Sequence, residues 1–512
     1  MLFNSPIFIA GFLPLVLLGF FLLTRSGLQR LAVIWLTLAS LVFYSWWNPS
    51  YLPLLVGSMI FNYLVGGYLV RNPSRAALFL GVGANVLLLG YYKYTGFLFG
   101  TLDGVLGMGW SIGHIILPLA ISFFTFQQIA YLVDAHDGEV QEHNFANYCL
   151  FISFFPQLIA GPITHHGEML SQFNKRETFS IRIDTFSIGV TIFLLGLFKK
   201  VIIADPLGQM ASPIFATAAN GTIPSLFEAW TAALTYTLQI YFDFSGYSDM
   251  AIGLGLLFGI SLPANFNSPF KAHNVIEYWS RWHMTLTRFL TAYIYNPIVM
   301  RMTRARMAAG KPQPRRGKMT AGTFAALVAY PTILTMFISG VWHGAGWQFI
   351  VFGLLHGFYL VVAHGWRAYK VRRGWSLDSD NLLYHVIAVL ITFGCVVVAL
   401  VFFRAESVPA AMTVLYGMVG LGGWDTTFYR DDAMLIGSLL LMVWFLPNVE
   451  QWMSHFRTAL NFHPREDWLE RWFPFVSWRP TPVIGVGVGV AGFFALAVAF
   501  SAAPTEFLYF QF

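Results

Sequence analysis

The chain has 512 residues, of which 57% are hydrophobic, 17% are aromatic and only 11% are charged. Because soluble domains carry roughly 25% charged residues, this composition excludes a soluble globular protein and indicates a chain that folds in lipid. The formal net charge of +6 is of the kind that basic cytoplasmic loops give membrane proteins, so it does not require nucleic acid as a partner.

Long apolar runs recur along the whole chain and predict membrane-spanning helices, because about 20 apolar residues in helical form cross a bilayer. The candidate spans are Ile7 to Leu23, Leu31 to Trp47, Leu52 to Val70, Ala76 to Tyr92, His114 to Val133, Phe186 to Leu197, Ala229 to Phe242, Thr323 to Val341, Trp347 to His364, Leu383 to Phe403, Met434 to Leu446 and Pro482 to Ser501. The first run lacks the basic start and cleavage site of a signal peptide, so it is interpreted as a span. We predict an all-α, polytopic helical bundle of roughly 11 to 13 spans, organised as one domain over residues 1–512.

Three apolar stretches are too short to cross a bilayer and are predicted to be buried or re-entrant pieces. They are Tyr148 to Pro162, Ala251 to Pro263 and Phe289 to Met300. A fourth stretch, Glu450 to Arg479, mixes charges and predicts a pair of interfacial helices. No internal repeat of the kind that builds many secondary transporters is evident.

Asp243 and Asp249 bring two carboxylates into an otherwise apolar region. Six residues separate them, which on one continuous helix of 3.6 residues per turn corresponds to about 240°. They would not face a common centre, so paired-acid catalysis is disfavoured. We expect the two carboxylates to fix helix ends or loops by hydrogen bonding.

A helix start is predicted at Asn274, which can cap the helix while Glu277 follows three residues later. Glu277 and Arg281 form a favourably oriented i, i+4 pair. The same spacing predicts that Trp279 and His283 share a helix face, so that His283 projects beside an aromatic wall. His283 is a candidate for chemistry, and a structural histidine packed against tryptophan explains the pattern equally well.

A metal site is not predicted from this sequence. His273, Glu277 and His283 lack the i, i+4 histidine pair of a zinc helix. Cys149 and Cys395 both lie in apolar surroundings and support neither a disulfide framework nor a cysteine-based metal site.

Basic residues predict the orientation of the chain. The segment from Arg301 to Lys318 carries basic residues and no acid, and such loops lie in the cytoplasm. Arg471 and Arg479 place the start of the last span on the same side. The aromatic tail, residues 507–512, is then expected at the outer face.

His343 is the strongest candidate for chemistry, because ionisable residues inside membrane segments are costly. Its span follows the basic loop and carries Pro331 as a predicted kink. Gly340, Gly344 and Gly346 leave space around it and suggest a cavity wall. Burial favours the neutral imidazole, which can accept a proton from a hydroxyl. A proton relay or a hydrogen-bonded core histidine would show the same pattern.

An ordered set of segments resembles the membrane-bound O-acyltransferase family, in its bacterial branch of alginate O-acetylation and teichoic acid D-alanyl transfer proteins. The similar segments are Met1 to Ser5, Phe154 to Gln157, Gly161 to Ile163, Tyr241 to Gly253, Pro263 to Pro269, Trp279 to Leu286 and Gly340 to Trp347. The resemblance implies a helical bundle around a central tunnel or funnel, located in the bacterial cytoplasmic (inner) membrane.

By this resemblance His343 matches the essential histidine of the family, and His283 matches a second histidine of the branch. The aromatic tail resembles a C-terminal motif whose tyrosine, Tyr509 here, is proposed to accept the acyl group for a time. An interfacial aromatic anchor would explain the tail as well.

The implied reaction moves an acetyl group from a cytoplasmic thioester to an extracytoplasmic hydroxyl, for O-acetylation of an alginate-like exopolysaccharide. The implied donor is acetyl-CoA or an acyl carrier protein thioester, with no tightly bound cofactor. An extracytoplasmic acetyltransferase or esterase-like partner protein would pass the group to the polysaccharide. The alternative from another class is a polysaccharide or lipid exporter that makes no bond.

Overall fold

The computed structural model describes residues 1–109, 115–140, 143–180, 182–311, 319–377, 381–424, 430–460, 481–503 and 505–508, together with 113 and 462. Within these residues the only strand-type pairing is an isolated bridge between Pro263 and Leu460, so the predicted all-α class is confirmed. The first helices are α1 (Ile7–Arg25), α2 (Gln29–Ser45), α3 (Pro49–Arg71), α4 (Arg75–Leu106), α5 (Ile121–His136), α6 (Phe145–Ser153), α7 (Phe155–Leu158) and α8 (His166–Phe173).

The second part of the chain is built in the same way. Its helices are α9 (Ile183–Ala219), α10 (Leu226–Leu257), α11 (Val275–Trp279), α12 (residues 284–308), α13 (Ala321–His343), α14 (Trp347–Arg373), α15 (Leu382–Arg404), α16 (Val408–Met418), α17 (Arg430–Phe445), α18 (Val449–Trp452) and α19 (Pro482–Ser501). Several carry π-helical segments, one of which, Ala325–Ala329, ends two residues before Pro331, where the kink of α13 was predicted.

Eight helices among the described residues are long and apolar enough to cross a membrane: α1, α3, α4, α9, α13, α14, α15 and α19. The protein is therefore a multi-pass membrane protein. The sequence predicted a higher number of spans, roughly 11 to 13. That number included α2, α5 and α17, which have only 17, 16 and 16 residues. It also included α10, whose interior turns carry the polar residues discussed below.

The span predicted to end at Leu197 continues instead to Ala219 as the 37-residue helix α9. The prediction ended there because Lys199 and Lys200 follow, and lysines usually mark a membrane boundary. In the structure both lysines are buried, at 9% and 2% exposure. Carboxylates on α10 pair with them, which is what allows charged side chains inside a bundle.

Glycines bring α9 and α10 close enough for this pairing. A methyl group on Gly196 would lie 2.5 Å from the carbonyl oxygen of Gly246, and one on Gly189 would lie 2.7 Å from that of Gly253. Small residues of this kind let two helix backbones approach within a membrane. The two helices run antiparallel, and both glycines of α9 precede the lysines that form the ion pairs.

Asp243 and Asp249 lie inside the continuous helix α10, not at helix ends or in loops, so that expectation was wrong. Asp243 pairs with Lys200 and Asp249 with Lys199, each at 2.6 Å. The prediction that the two carboxylates do not share a centre is confirmed, since each has its own lysine. Helix α10 is buried along nearly its whole second half and forms the middle of the bundle.

The structure agrees with the predictions for some of the short apolar stretches and not for others. Residues 148–162 form the broken pair α6 and α7 with a following turn and are buried throughout, as predicted. Residues 251–263 are the buried end of α10 and its exit loop. The stretch from Phe289 to Met300 belongs to the continuous helix α12, and only its first two residues are buried, so it is not a buried piece. Its re-entrant course stays a prediction. Most of the predicted interfacial helix pair lies outside the described residues.

Candidate active site

His343 is the last residue of α13 and is 6% exposed. Its ring lies among aromatic rings, with centroid distances of 5.1 Å to Phe403 and 5.7 Å to Phe352. These rings belong to α15 and α14, so three helices enclose the imidazole. The structure therefore places His343 in an apolar site where water is largely excluded.

Gly340 and Gly344 do not line an open cavity, which corrects the sequence interpretation for these two glycines. A methyl group on Gly344 would lie 2.2 Å from the ring of Phe349, and one on Gly340 would lie 2.4 Å from the carbonyl oxygen of Phe349. The space is already filled by the start of α14. These glycines serve close packing of α13 against α14, and this packing fixes the position of His343.

His283 is fully buried and lies between α11 and α12, with a left-handed backbone (φ 42°). The predicted shared helix face with Trp279 is wrong, because α11 ends at Trp279 and the chain turns before His283. Its Nδ1 lies 3.0 Å from Oδ1 of Asn265, and its ring contacts Phe244 edge-on at 4.7 Å. Burial lowers the pKa of His283 to about 3, so the imidazole is neutral at physiological pH.

Trp342 connects the two histidines. Its ring lies 5.0 Å from that of His343 and 6.3 Å from that of His283, measured between centroids. Trp342 itself stacks on Phe126 of α5 at 5.1 Å. Two histidines that are 60 positions apart in the sequence thus both lie close to one indole ring.

Lys93 is a site residue that sequence reasoning missed. Its Nζ donates to the backbone carbonyl of Trp342 and, at 3.2 Å, to that of His343. These carbonyls end α13, where the helix dipole is negative and a cation is favourable. The available signal was a lysine in the apolar sequence Tyr91 to Tyr94, which was treated as the boundary of the span ending at Tyr92.

His356 on α14 was also missed. The indole N–H of Trp279 donates to its Nδ1 at 3.2 Å, which requires the proton of the neutral imidazole to be on Nε2. The ring of Phe352 contacts both His356 at 4.7 Å and His343 at 5.7 Å. A third histidine therefore belongs to the same aromatic region, and its role of accepting from Trp279 is structural.

The predicted cap at the start of α11 is confirmed, because the side chain of Asn274 accepts from the backbone N–H of Glu277 at 2.9 Å. Glu277 pairs with Arg281 at 2.7 Å, as expected, and also with His273 at 2.6 Å. The carboxylate of Glu277 accepts from the backbone N–H of His273 at 3.1 Å, so the capping box is shifted by one residue.

A separate polar cluster joins α5, α8 and α12. Asp134 lies 2.9 Å from Nε2 of His165 and 3.1 Å from Nδ1 of His166, and Tyr293 donates its hydroxyl to the same carboxylate. Burial alone would raise the pKa of Asp134, but the hydrogen bonds from these histidines and from Tyr293 hold it at about 2. Asp134, His165 and His166 each offer one possible ligand atom for a metal ion, and these three atoms lie within 4.8 Å of one another. The distances from the carboxylate to the two histidines are those of direct hydrogen bonds, so hydrogen bonding explains why the three residues lie together.

The aromatic tail is described only in part. Phe507 and Leu508 are buried, at 1% and 8% exposure, and the position of the tail on the outer side of the membrane stays a prediction. Tyr509 lies outside the described residues. The structure therefore gives no position for the proposed acyl acceptor.

A cavity of about 700 Å³ borders the loop that follows His343. Its walls come from α4, from Gly346 to Gln348, and from the segment between α15 and α16 that contains Glu406. The loop after His343 is thus open on one side, although the histidine itself is buried.

The fold and site define a multi-pass membrane protein with ionisable side chains collected at one buried place. The profile of the membrane-bound O-acyltransferase family matches residues 138–309. The chain is 43% identical to the peptidoglycan O-acetyltransferase of Helicobacter pylori, over 85% of this chain and 82% of that protein. It is 37% identical to the probable alginate O-acetylase AlgI of Pseudomonas aeruginosa, over 86% of this chain and 80% of that protein.

A more distant relative is the teichoic acid D-alanyltransferase of Bacillus subtilis, 27% identical over 55% of this chain and 67% of that protein. The chain belongs to the membrane-bound O-acyltransferase family, and it is an O-acyltransferase. Family membership decides between the enzyme and the exporter in favour of the enzyme.

Proposed function

We propose that this enzyme moves an acetyl group from a cytoplasmic thioester to a hydroxyl on the outer side of the bacterial inner membrane, for O-acetylation of an extracytoplasmic polysaccharide. The observation that carries the proposal is the pair of buried histidines, His343 and His283, whose rings both lie near that of Trp342. The names of the relatives support acetyl as the acyl group.

His343 acts as the general base in this proposal. It accepts the proton of the attacking hydroxyl while the hydroxyl oxygen forms a bond to the thioester carbonyl carbon. The C–S bond then breaks, and the leaving thiolate takes the proton from His343 to become a thiol. General-base help of this kind contributes roughly 10² to 10⁴ in rate. His283 positions the donor or stabilises the charge that develops on the carbonyl oxygen.

The donor is acetyl-CoA or an acetylated acyl carrier protein, and no tightly bound cofactor takes part. The first acceptor is the phenol of Tyr509, which has an ordinary pKa near 10 and therefore needs a base to attack at neutral pH. An extracytoplasmic acetyltransferase or esterase-like partner then moves the acetyl group from Tyr509 to the polymer.

The final acceptor is a polysaccharide outside the membrane. An alginate-like exopolysaccharide agrees with the name of one relative, and peptidoglycan agrees with the name of another. Measuring O-acetyl groups on secreted polysaccharide and on muropeptides, in cells with and without the enzyme, separates the two acceptors. Loss of acetylation in one fraction identifies its polymer, and unchanged acetylation in both overturns the polysaccharide proposal.

The test of acetyl transfer uses purified enzyme with acetyl-CoA or acetylated acyl carrier protein, each labelled in the acetyl group. We expect His343→Gln to lose at least about a hundredfold in transfer rate, because the amide cannot accept the proton. His136→Gln is the matched control, since His136 pairs with Asp137 at a partly exposed position outside the site. Full transfer by a folded His343→Gln variant would refute the general-base role.

Mass spectrometry of the C-terminal peptide tests the acyl carrier. Without the downstream partner, an added acetyl group is expected on Tyr509 and is expected to be absent in Tyr509→Phe. A wild-type tyrosine that stays unmodified during turnover would show that the hydroxyl acceptor is another group.

A further inference from the structure

The segment of residues 505–508, here called the anchor segment, folds back from α19 into the core of the bundle. Phe507 is 1% exposed and its ring meets that of Tyr247 edge-on at 4.3 Å. Nζ of Lys200 lies 4.8 Å from the same phenylalanine ring. An interfacial anchor would leave these aromatic groups at the surface, so their burial requires another explanation.

The anchor segment is held by charged side chains on α9 and α10. The backbone N–H of Leu508 donates to Oδ2 of Asp243 at 3.0 Å, while Oδ1 of Asp243 accepts from Nζ of Lys200 at 2.6 Å. Lys200 also donates to the backbone carbonyl of Glu506 at 3.0 Å. Asp243 and Lys200 thus hold both a donor and an acceptor of the segment's backbone.

A third charged residue completes the contact. The hydroxyl of Thr505 donates to Oδ2 of Asp205 at 2.6 Å, and Oδ1 of Asp205 lies 2.8 Å from Nζ of Lys200. One lysine therefore faces two carboxylates, which leaves one negative charge in excess. Leu508 and Thr505 supply hydrogen-bond donors to these carboxylates, and donors to ionised groups give strong hydrogen bonds.

The N-terminal segment that resembled the family start, Met1 to Ser5, forms the remaining wall. The side-chain amide of Asn4 donates to the backbone carbonyl of Thr505 at 3.2 Å. Phe3 stacks on Tyr247 at 4.8 Å, and Tyr247 contacts Phe507. Neither the sequence motif nor the proposed chemistry had given this segment a role.

We propose that Lys200, Asp205, Asp243 and Asn4 form a receptor that binds the anchor segment and thereby sets the point from which the last four residues of the chain continue. The receptor residues are positioning residues. The inference rests on the proposed function only in that the tail would carry an acetyl group on Tyr509. The binding of the anchor segment does not depend on that role.

The test measures hydrogen exchange of the C-terminal peptide by mass spectrometry in the full-length protein. Asp243→Asn removes the charge that holds the Leu508 amide, and we expect that peptide to exchange about 10- to 100-fold faster. Asp249→Asn is the matched control, since it breaks the equivalent pair with Lys199 on the same helix. Within the described residues Asp249 makes no hydrogen bond to the anchor segment. Equal exchange in Asp243→Asn and Asp249→Asn would overturn the receptor.

Thr505→Val provides a second variant that leaves the buried ion pairs intact, because Thr505 is exposed. We expect a smaller rise in exchange of the tail, roughly fivefold, and unchanged thermal stability. Wild-type exchange in this variant and in Asp243→Asn would refute the inference. A protected tail in an enzyme whose Tyr509 is never acetylated would leave the receptor standing and refute the carrier role alone.

Discussion

The crossing of α13 and α14 should be highly sensitive to a single methyl group at Gly340. The added Cβ would lie 2.4 Å from the carbonyl oxygen of Phe349 and 3.0 Å from Cα of Gly353. Both contacts are with backbone, which cannot move aside as a flexible side chain can. Gly340→Ala is therefore expected to push the two helices apart.

The size of the effect follows from the geometry. Relieving the closest contact requires a displacement of about 1 Å, and overpacking of this kind costs about 1 to 3 kcal/mol. His343 lies three residues further along the same helix, so it moves with the backbone. A misplacement of about 1 Å can cost roughly a hundredfold in rate. Initial rates of acetyl transfer and Tm in detergent measure the two effects.

Gly322→Ala is the control on the same helix, because nothing lies within 4 Å of a methyl group at that position. It should keep the rate and keep or raise the Tm, since alanine favours helix over glycine by about 1 kcal/mol. If Gly340→Ala behaves like Gly322→Ala, then the glycine contact does not determine where His343 lies.

Two further predictions concern polar groups that the sequence did not assign. Lys93→Met should lower kcat by about tenfold or more with little change in KM, because the cation that holds the end of α13 is lost; steady-state kinetics measure this. Asp134→Asn should change how Tm depends on pH. The carboxylate, whose pKa is lowered to about 2, stabilises the fold by roughly 2 kcal/mol above pH 4 and loses this on acidification to pH 2. The pKa of His165 is raised by its hydrogen bond to Asp134. The stability that protonated His165 contributes is therefore lost as pH rises above the usual histidine range.

Different outcomes would contradict these two predictions. A Lys93→Met enzyme with raised KM and normal kcat would place the lysine in substrate binding. For Asp134→Asn, the difference in Tm from the wild type should be largest between about pH 4 and 6.5. Parallel curves over the whole range would show that the cluster does not titrate with folding.

The helical class and most helix positions could be predicted from the sequence, because long apolar runs have few other structures available in lipid. Helix α13 was predicted as Thr323 to Val341 and is found at Ala321–His343. The long helix α9 could not be predicted, because its continuation depends on carboxylates that lie some 45 residues later on α10. An ion pair between helices leaves no periodic signal in either one.

The candidate site was predictable only in part, for the same reason. His343 and His283 were singled out from the residues and from the resemblance, and their roles stay predictions. Lys93 and His356 were missed because their importance lies in contacts with Trp342 and Trp279, which are distant in sequence. The glycines beside His343 were misread because a missing side chain indicates either empty space or a close neighbour, and only the position of Phe349 decides between them.

The ion pairs of Lys199 and Lys200 with α10 also affect the register in which α9 and α10 pack. Buried ion pairs often add little net stability compared with apolar residues of similar size. A shift of one helix along the other would separate Lys199 and Lys200 from their carboxylates, so the ion pairs add to the alignment that the glycine contacts already favour. We expect an enzyme with the Lys199 and Asp249 pair replaced by methionine and leucine to stay folded while the two helices sample more than one register, which disulfide trapping between α9 and α10 would reveal.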